Sequence, residues 1–387
     1  MNSWFLSPGL RRLIAGVVSI VALRCTSPSS SETSFSTTSS SPSWVPVSIR
    51  YARGFTLDYS SSYPVLGILG ANDTTRYLLL PSGASLPESL PSQATVIRTP
   101  VQRVVATSTT HLGLVEWLEA RDCLVGIGRA DLVYDSAIRQ AVQRGQIEEV
   151  GTEANLNVEQ VLALQPDLVM VSATPGVSLQ QYHPLISAGI PVIVNAEWQE
   201  ASPLGKAEWV KLMAALLQRE DQATRQFRAM ARRYDSLVQQ VRTSQQPRVI
   251  TGAPFQGTWY VPGRNSYVGQ LLVDAHASWP WQQDTSSVSI NVALETMYEH
   301  GLRADYWINT GLAQQLSALA GQDDRLTAFR PYQQRNVYNH YRRISPSGGN
   351  DFYEGGTVRP DLVLADLVEI FHPEVLEHRL YYYQKLE

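Results

Sequence analysis

From Arg103 to Asn195 the chain alternates short apolar runs with segments whose apolar residues recur every three or four positions. The runs are RVVATS, LVGIG, DLVMVS and IPVIVN; between them lie TTHLGLVEWLEARD, VEQVLALQ and YHPLISAG. Runs that are apolar throughout, rather than at alternate positions, predict strands buried on both faces, and therefore a parallel sheet covered by helices. The alternation then stops. From Pro203 to Val241 only helical spacing remains (Trp209, Leu212, Met213, Leu216, Leu217, then Phe227, Met230, Tyr234, Leu237, Val238 and Val241), with no Gly or Pro after Lys206. A break near QRED divides this stretch, leaving a second helix of about 23 residues, roughly 35 Å long. Strand rhythm returns with RVITG, TWYVPG, the helix YVGQLLVDA, the strands DYWINT and RNVYNH, and a closing helix PDLVLADLVEIFHP.

A chain of 387 residues exceeds what one core usually supports, so two lobes are expected, and 44% hydrophobic with 17% charged residues excludes a disordered protein. Ahead of the lobes, Arg11 and Arg12 precede an apolar stretch from Leu13 to Leu23 and then Cys25. That stretch is shorter than the roughly 20 residues a membrane span needs and has the form of an export signal. Residues 26–43 hold 14 Ser or Thr among 18, a composition that reads as a flexible tether reaching roughly 25 Å. Signal, Cys and tether together resemble a lipoprotein leader, with Cys25 as the lipidated residue, although Arg24 stands where a small residue is usual. The expected organisation is a signal over 1–24, a tether over 25–43, an N-terminal α/β lobe with a small β cap over 44–200, a helical connector over 201–245 and a C-terminal α/β lobe over 246–387.

Loss of the signal removes Arg11, Arg12 and Arg24 and no acid, taking the net charge from −4 to −7 and arguing against nucleic acid as a partner. Cys123 is then the one cysteine of the body, so no internal disulfide and no Cys-based metal site can form there; a buried packing thiol is the expected role.

One phrase returns. NVEQVLALQPDLVMVS begins at Asn157 and NVALETMYEHGLRADYWINT at Asn291; each places a Glu early (Glu159, Glu295) and an Asp before an apolar run (Asp167, Asp305). Lobe, long helix and lobe behind a lipoprotein-like leader resemble the solute-binding proteins of ABC importers for iron-siderophores, haem and cobalamin. The resemblance covers nearly all of residues 100–380 and rests chiefly on VQRVVATSTTHLGLVEWLEARDCLVGIG, VGTEANLNVEQVLALQPDLVMVS and WYVPGRNSYVGQLLVDA. The cap and the tail look like the Bacteroidetes variety.

The resemblance implies two Rossmann-like lobes with parallel sheets, joined by one long helix, with a ligand cleft between them. It implies a permease and its ATPase as partners, a location in the periplasm or cell envelope with a lipid anchor in the membrane, a monomer, and no catalysis. Each lobe of such proteins docks a Glu onto Arg residues of the permease, and Glu159 and Glu295 match those positions. As isolated residues they would read as solvated acids favourable to a helix dipole. A stiff connector predicts small lobe movement on binding.

Ligands of parallel sheets bind beyond the strands' carboxyl ends. The loops expected there carry Ser108, Thr109, His111, Arg129, Thr174 and Trp198 in the first lobe and Trp259, Tyr260, Arg264 and Tyr267 in the second, with Asn350 to Tyr353 as a further candidate. Trp198, Trp259, Tyr260 and Tyr267 would stack on a large flat or catecholate ligand, and Arg129 and Arg264 would pair with its negative charge. That content favours a ferric siderophore over cobalamin or haem. His111 could instead serve as a haem ligand or simply cap its helix. Seven scattered His without an HExxH make a dedicated metal site unexpected, and no separate cofactor is expected beyond the iron or cobalt a ligand carries. The competing classes are a surface lipoprotein binding a glycan and an exported hydrolase; no nucleophile elbow, phosphate loop or complete dinucleotide fingerprint supports the latter.

Overall fold

The computed structural model describes residues 46–70, 73–91, 93–173 and 179–387. The leader, the tether, Cys25 and Thr174 lie outside them. A four-stranded cap comes first: β1 (Phe55–Asp58), β2 (Val65–Leu69), β3 (Thr74–Pro81) and β4 (Thr95–Thr99), antiparallel except for the last pair. It lies against the first lobe, where the Tyr77 hydroxyl donates to the Val192 carbonyl at 2.6 Å. The segment entering the cap is held by two buried carboxylates. Glu208 accepts the N–H groups of Arg50, Tyr51 and Ala52 and a 2.6 Å contact from Lys211; Glu200 accepts those of Arg53 and Gly54. Buried carboxylates persist when each lone pair finds a donor.

The first lobe runs β5 (Val104–Ala106), α1 (Thr109–Trp117), β6 (Leu124–Ile127), α2 (Ser136–Gln143), β7 (Glu148–Glu149), α3 (Val158–Leu164), β8 (Leu168–Ser172), α4 (His183–Ser187) and β9 (Val192–Asn195). Its strands form an all-parallel sheet in the order β7-β6-β5-β8-β9, the arrangement that continuous apolar runs require. Asp135 and Asn157 cap α2 and α3 by accepting from Ile138 and Gln160. Cys123 is buried, and burial pushes its thiol up to about 12.

The connector is three helices: α5 (Pro203–Glu208), α6 (Val210–Leu217) and α7 (Glu220–Val241). The break falls where QRED places it, with Gln218 left-handed at φ 55°. Every residue of α6 is buried, whereas α7 buries Ala223, Phe227, Met230, Tyr234, Leu237 and Val241 on one stripe. At 22 residues α7 is about 33 Å long. One continuous core includes Val104 and Ile193 of the first lobe, Phe227 of α7, and Val249, Leu272 and Leu364 of the second.

The second lobe runs β10 (Val249–Thr251), β11 (Pro254–Phe255), β12 (Thr258–Pro262), α8 (Tyr267–Asp274), β13 (Ser289–Val292), α9 (Leu294–Gly301), β14 (Tyr306–Ile308), α10 (Leu316–Ala320), α11 (Arg330–Gln333), β15 (Val337–Asn339), α12 (Pro360–Phe371) and β16 (Gln384–Lys385). Strands β10, β14 and β15 are parallel, with β16 antiparallel at the edge. TWYVPG departs from the expected rhythm: as β12 it belongs to a separate antiparallel sheet with β11 and β13. The reason is local. Gln256 and Gly257, both at positive φ, form a two-residue hairpin that folds it back on β11 before it can join the parallel sheet.

The repeated phrase marks equivalent points in the two sheets. Asp167 accepts the Arg103 N–H at 3.0 Å before β5, and Asp305 accepts the Arg248 N–H at 2.8 Å before β10. The Asn-Val openings are not equivalent: Asn157 caps α3, whereas Asn291 lies in β13 opposite Tyr260. Among the described residues no helix is long and apolar enough to cross a membrane.

Candidate functional site

The carboxyl ends of β5, β6 and β8 converge on a pocket of about 280 Å³ lined by Thr107, Ser108, Thr109, Arg129, Glu153 and Ser172 among others. Local chemistry builds its floor. Ser108 caps α1, its hydroxyl accepting from Thr110 N–H, and the loop after β6 passes so close to β5 that a Cβ on Gly128 would stand 2.1 Å from the Thr107 carbonyl oxygen. Only glycine permits that approach. Glu153 Oε1 joins the loops by accepting the Thr107 hydroxyl and the Ser172 N–H, the latter at 2.9 Å. A larger cavity of about 500 Å³, lined by Glu119, Arg121 and Leu124, opens by the first residue of β6, at the opposite end of the strands from the loops that carry this chemistry.

Beyond β9, Glu197 is 1% exposed. Burial pushes its carboxyl up, opposed by Lys206, whose own ammonium burial pushes down. The Lys206 Nζ lies 4.9 Å from the centre of the Tyr267 ring, so the connector meets the second lobe here through a cation and an aromatic face.

In the second lobe the strand β11 that follows β10 and the loops beyond β14 and β15 present Phe255, Leu312 and Tyr353, all exposed. Leu132 and Trp198 of the first lobe and Tyr260 of β12 are exposed as well. His340 anchors the loop after β15. Its Nδ1 is 3.2 Å from Asn309 Oδ1, which also accepts from the Tyr383 hydroxyl, so Nδ1 donates and Nε2 accepts the Tyr353 hydroxyl proton at 3.0 Å. Burial holds this imidazole down at about 4, hence neutral, and its ring stacks on Phe352 at 4.2 Å. The same loop crosses to the first lobe: the Glu354 carboxyl accepts Tyr134 and Asp135 N–H at 2.7 and 2.9 Å, and burial pushes it up to about 8.

Several expected ligand contacts stand elsewhere. Trp259 is fully buried, its indole N–H donating to the Thr251 carbonyl at 2.7 Å and its ring packed on Trp307 and Phe329; it belongs to the core. His111 is also fully buried and completes the cap of α1, with burial pushing its imidazole down to about 4; it cannot ligate a metal in the cleft. Tyr267 is partly buried under Lys206 rather than open to a ligand. Arg129 is committed to Asp131, and Arg264 reaches the Gln282 carbonyl at 3.4 Å. Ser108 and Thr109 line the pocket, while Trp198 and Tyr260 are exposed, the Trp198 indole donating to the Ala173 carbonyl at 3.2 Å. Glu159 and Glu295 are exposed in the first turns of α3 and α9. Sequence reasoning missed Glu153, Phe255, Leu312 and His340. The loop carrying Glu153 follows a strand of two acidic residues, β7, which has no apolar signature; the hairpin residue Phe255 was signalled by the Gln-Gly turn beside it. Among the described residues no three His, Cys, Asp or Glu are grouped to hold a metal ion.

Two α/β lobes joined by a long helix, with a pocket at the carboxyl ends of the first sheet's strands, have the architecture of a two-lobed binding protein. The chain belongs to the periplasmic binding protein family, whose pattern matches residues 104–340. It is 25% identical over 303 residues to an uncharacterised lipoprotein of Methanocaldococcus jannaschii, covering 76% of this chain and 70% of that one. Among solved structures it is similar to a possible iron-binding, periplasmic solute-binding protein of Staphylococcus epidermidis, with a TM-score of 0.55, 16% identity, and coverage of 71% of this chain and all of that one. It is also similar to a periplasmic heme-binding protein of Pseudomonas aeruginosa, with a TM-score of 0.53, 21% identity, and coverage of 74% and 98%.

Proposed function

We propose that this protein is the extracytoplasmic solute-binding component of an ABC importer, capturing a metal chelate of the ferric siderophore, haem or cobalamin kind and delivering it to a membrane permease. The observation that carries this reading is the pocket at the carboxyl ends of the first sheet's strands, with Leu132 in its wall and Trp198, Phe255, Tyr260, Leu312 and Tyr353 exposed on segments that follow strands in the two lobes. Large flat ligands are held by such aromatic and aliphatic faces, with a few polar groups fixing their orientation. Family membership supports the same role, as does the likeness to the iron- and heme-binding proteins above.

Glu159 and Glu295 are the docking contacts with the permease, one from each lobe. Exposed charges at such a surface govern encounter and register more than they add affinity. Cys25 is the lipid attachment point and residues 26–43 the tether, placing the two lobes at the outer face of a membrane. Uptake measured in cells carrying both Glu159→Lys and Glu295→Lys, beside ligand affinity measured on the purified variant, tests the assignment. Uptake is lost while affinity stays at the wild-type value; a collapse of affinity would show that the pair belongs to the pocket or the core.

A further inference from the structure

A third pocket, of about 580 Å³, takes its lining from both lobes: Tyr134 from the first, and Arg342, Arg343, Arg379 and Tyr381 from the second. It shares no lining residue with the pocket at the first sheet's strand ends. Val133 lines the one and Tyr134 the other, and the loop after β15 is seated on the chain there. A Cβ on Gly349 of that loop would stand 2.3 Å from the Val133 carbonyl oxygen.

The segments around this pocket are fixed by three buried carboxylates, Glu354, Asp351 and Asp366. Glu354 accepts the Tyr134 N–H at 2.7 Å, Asp351 accepts the Arg343 Nε–H at 2.5 Å, and Asp366 accepts the Tyr381 N–H at 2.7 Å. The Arg343 guanidinium carbon lies 5.0 Å from the centre of the Tyr134 ring and 4.3 Å from that of Tyr381, so its plane is held by both lobes. With Nε used, the Nη groups of Arg343 make no hydrogen bond among the described residues. Arg342 and Arg379 are exposed, and their side chains have neither a hydrogen bond nor an ion pair there.

Asp351 balances the charge of Arg343, which leaves Arg342 and Arg379 as two uncompensated cations, with no acidic side chain in the lining. Glu377, exposed two positions ahead of Arg379, makes no ion pair with it. Two net positive charges match a dianion. Three guanidinium groups suit the three oxygens of a terminal phosphoryl group better than the two of a planar carboxylate. The volume is that of a small-molecule site and leaves room for an organic body, to which Tyr134, Tyr381, Ile344 and Leu380 offer apolar faces.

We propose that this pocket binds a phosphate monoester, its phosphoryl oxygens on Arg342, Arg343 and Arg379 and its body against Tyr134 and Tyr381. The occupant bridges the lobes beside the Glu354 contact. The site stands apart from the solute pocket and does not depend on the solute-binding reading. A free ester and a lipid headgroup present the same phosphoryl chemistry, and the test separates them.

The full chain, purified in nonionic detergent, is titrated by calorimetry at about pH 8 with phenyl phosphate, a dianion there, and with phenyl sulfate, a monoanion of the same shape. Phenyl phosphate binds at least about tenfold tighter, the worth of one further charge near a protein surface. Arg342→Gln and Arg379→Gln each weaken it by about tenfold to a hundredfold, the usual worth of hydrogen bonds to a charged group, and both melt like the wild type. A second arm places phosphatidic acid or phosphatidylcholine in the micelles. Displacement of phenyl phosphate by phosphatidic acid alone identifies a lipid headgroup as the natural occupant; binding undisturbed by either lipid identifies a free ester. Failure of phenyl phosphate and phosphatidic acid alike to bind overturns the inference. So does phenyl sulfate binding as tightly as the phosphate, or wild-type affinity in both arginine variants. Each of these results leaves the solute-binding reading standing.

Discussion

Gly113, inside α1, offers a substitution whose sign separates two physical effects. Helix propensity favours alanine there by about 1 kcal/mol, because glycine loses more backbone freedom on folding. The tertiary contact opposes it. A Cβ on residue 113 would lie 2.1 Å from the carbonyl oxygen of Glu354 and 2.8 Å from its carbonyl carbon, both main-chain atoms that no rotamer change can move. Glu354 is pinned by its two hydrogen bonds to Tyr134 and Asp135, so relief requires shifting the strap that joins the lobes and stretching both bonds. Overpacking costs about 1–3 kcal/mol and each strained hydrogen bond about 1 kcal/mol, which exceeds the propensity gain and leaves Gly113→Ala less stable by about 2–4 kcal/mol. Guanidinium unfolding followed by tryptophan fluorescence measures this. Gly321→Ala is the control: it sits at the end of α10 with ordinary φ, its added Cβ would meet nothing closer than 3.4 Å, and its stability should be unchanged or slightly higher. A Gly113→Ala protein as stable as the wild type, or more so, would refute the argument that the strap is seated against α1.

The strap also carries a pH signature. Burial raises the Glu354 carboxyl from its ordinary value of 4.5 to about 8, so between these values the unfolded chain releases a proton that the folded one keeps. Stability is therefore fully present below about pH 4.5 and falls towards pH 8, with a slope of at most about 1.4 kcal/mol per pH unit; Glu354→Gln should flatten that decline in unfolding curves taken at pH 5, 7 and 9, and an unchanged slope would contradict it. The continuous core through α7 and the Glu354 strap together predict small lobe movement, so small-angle scattering with and without a bound chelate should give nearly the same radius of gyration. A large compaction would show that the connector bends.

Much of the scaffold is written locally, and periodicity made it legible. Continuous apolar runs forecast β5, β6, β8 and β9 because a strand covered on both faces has no polar side to show. The apolar spacing of α6 and the one-sided stripe of α7 came from the same source, as did the break near Gln218. The paired Asp167 and Asp305 were visible because each precedes a strand, and in the fold each accepts the N–H of the residue ahead of its sheet's central or leading strand. What periodicity reports is that a residue has a buried face. It does not say against what. Hence Trp259 and Trp198, both apparent stacking platforms, part company: one fills the second core while the other stands exposed beyond β9. TWYVPG has the composition of a parallel strand, and only the two-residue turn at Gln256-Gly257 diverts it.

The site's electrostatics were decided by tertiary structure. From the sequence, Arg129 and Arg264 stood for a cationic cleft; in the fold Arg129 closes on Asp131, and the pocket's other charged side chain is Glu153. That carboxylate is fixed by Thr107, 46 positions away, and Ser172, 19 positions away. The strap of Glu354 onto Tyr134 spans 220 positions. The sequence alone determined the order of elements and the stiff helix between two lobes, since these depend on side-chain spacing within single segments. The pairing of charges in the pocket and the bracing of the lobes depend on which distant groups meet, and only the tertiary fold decides that.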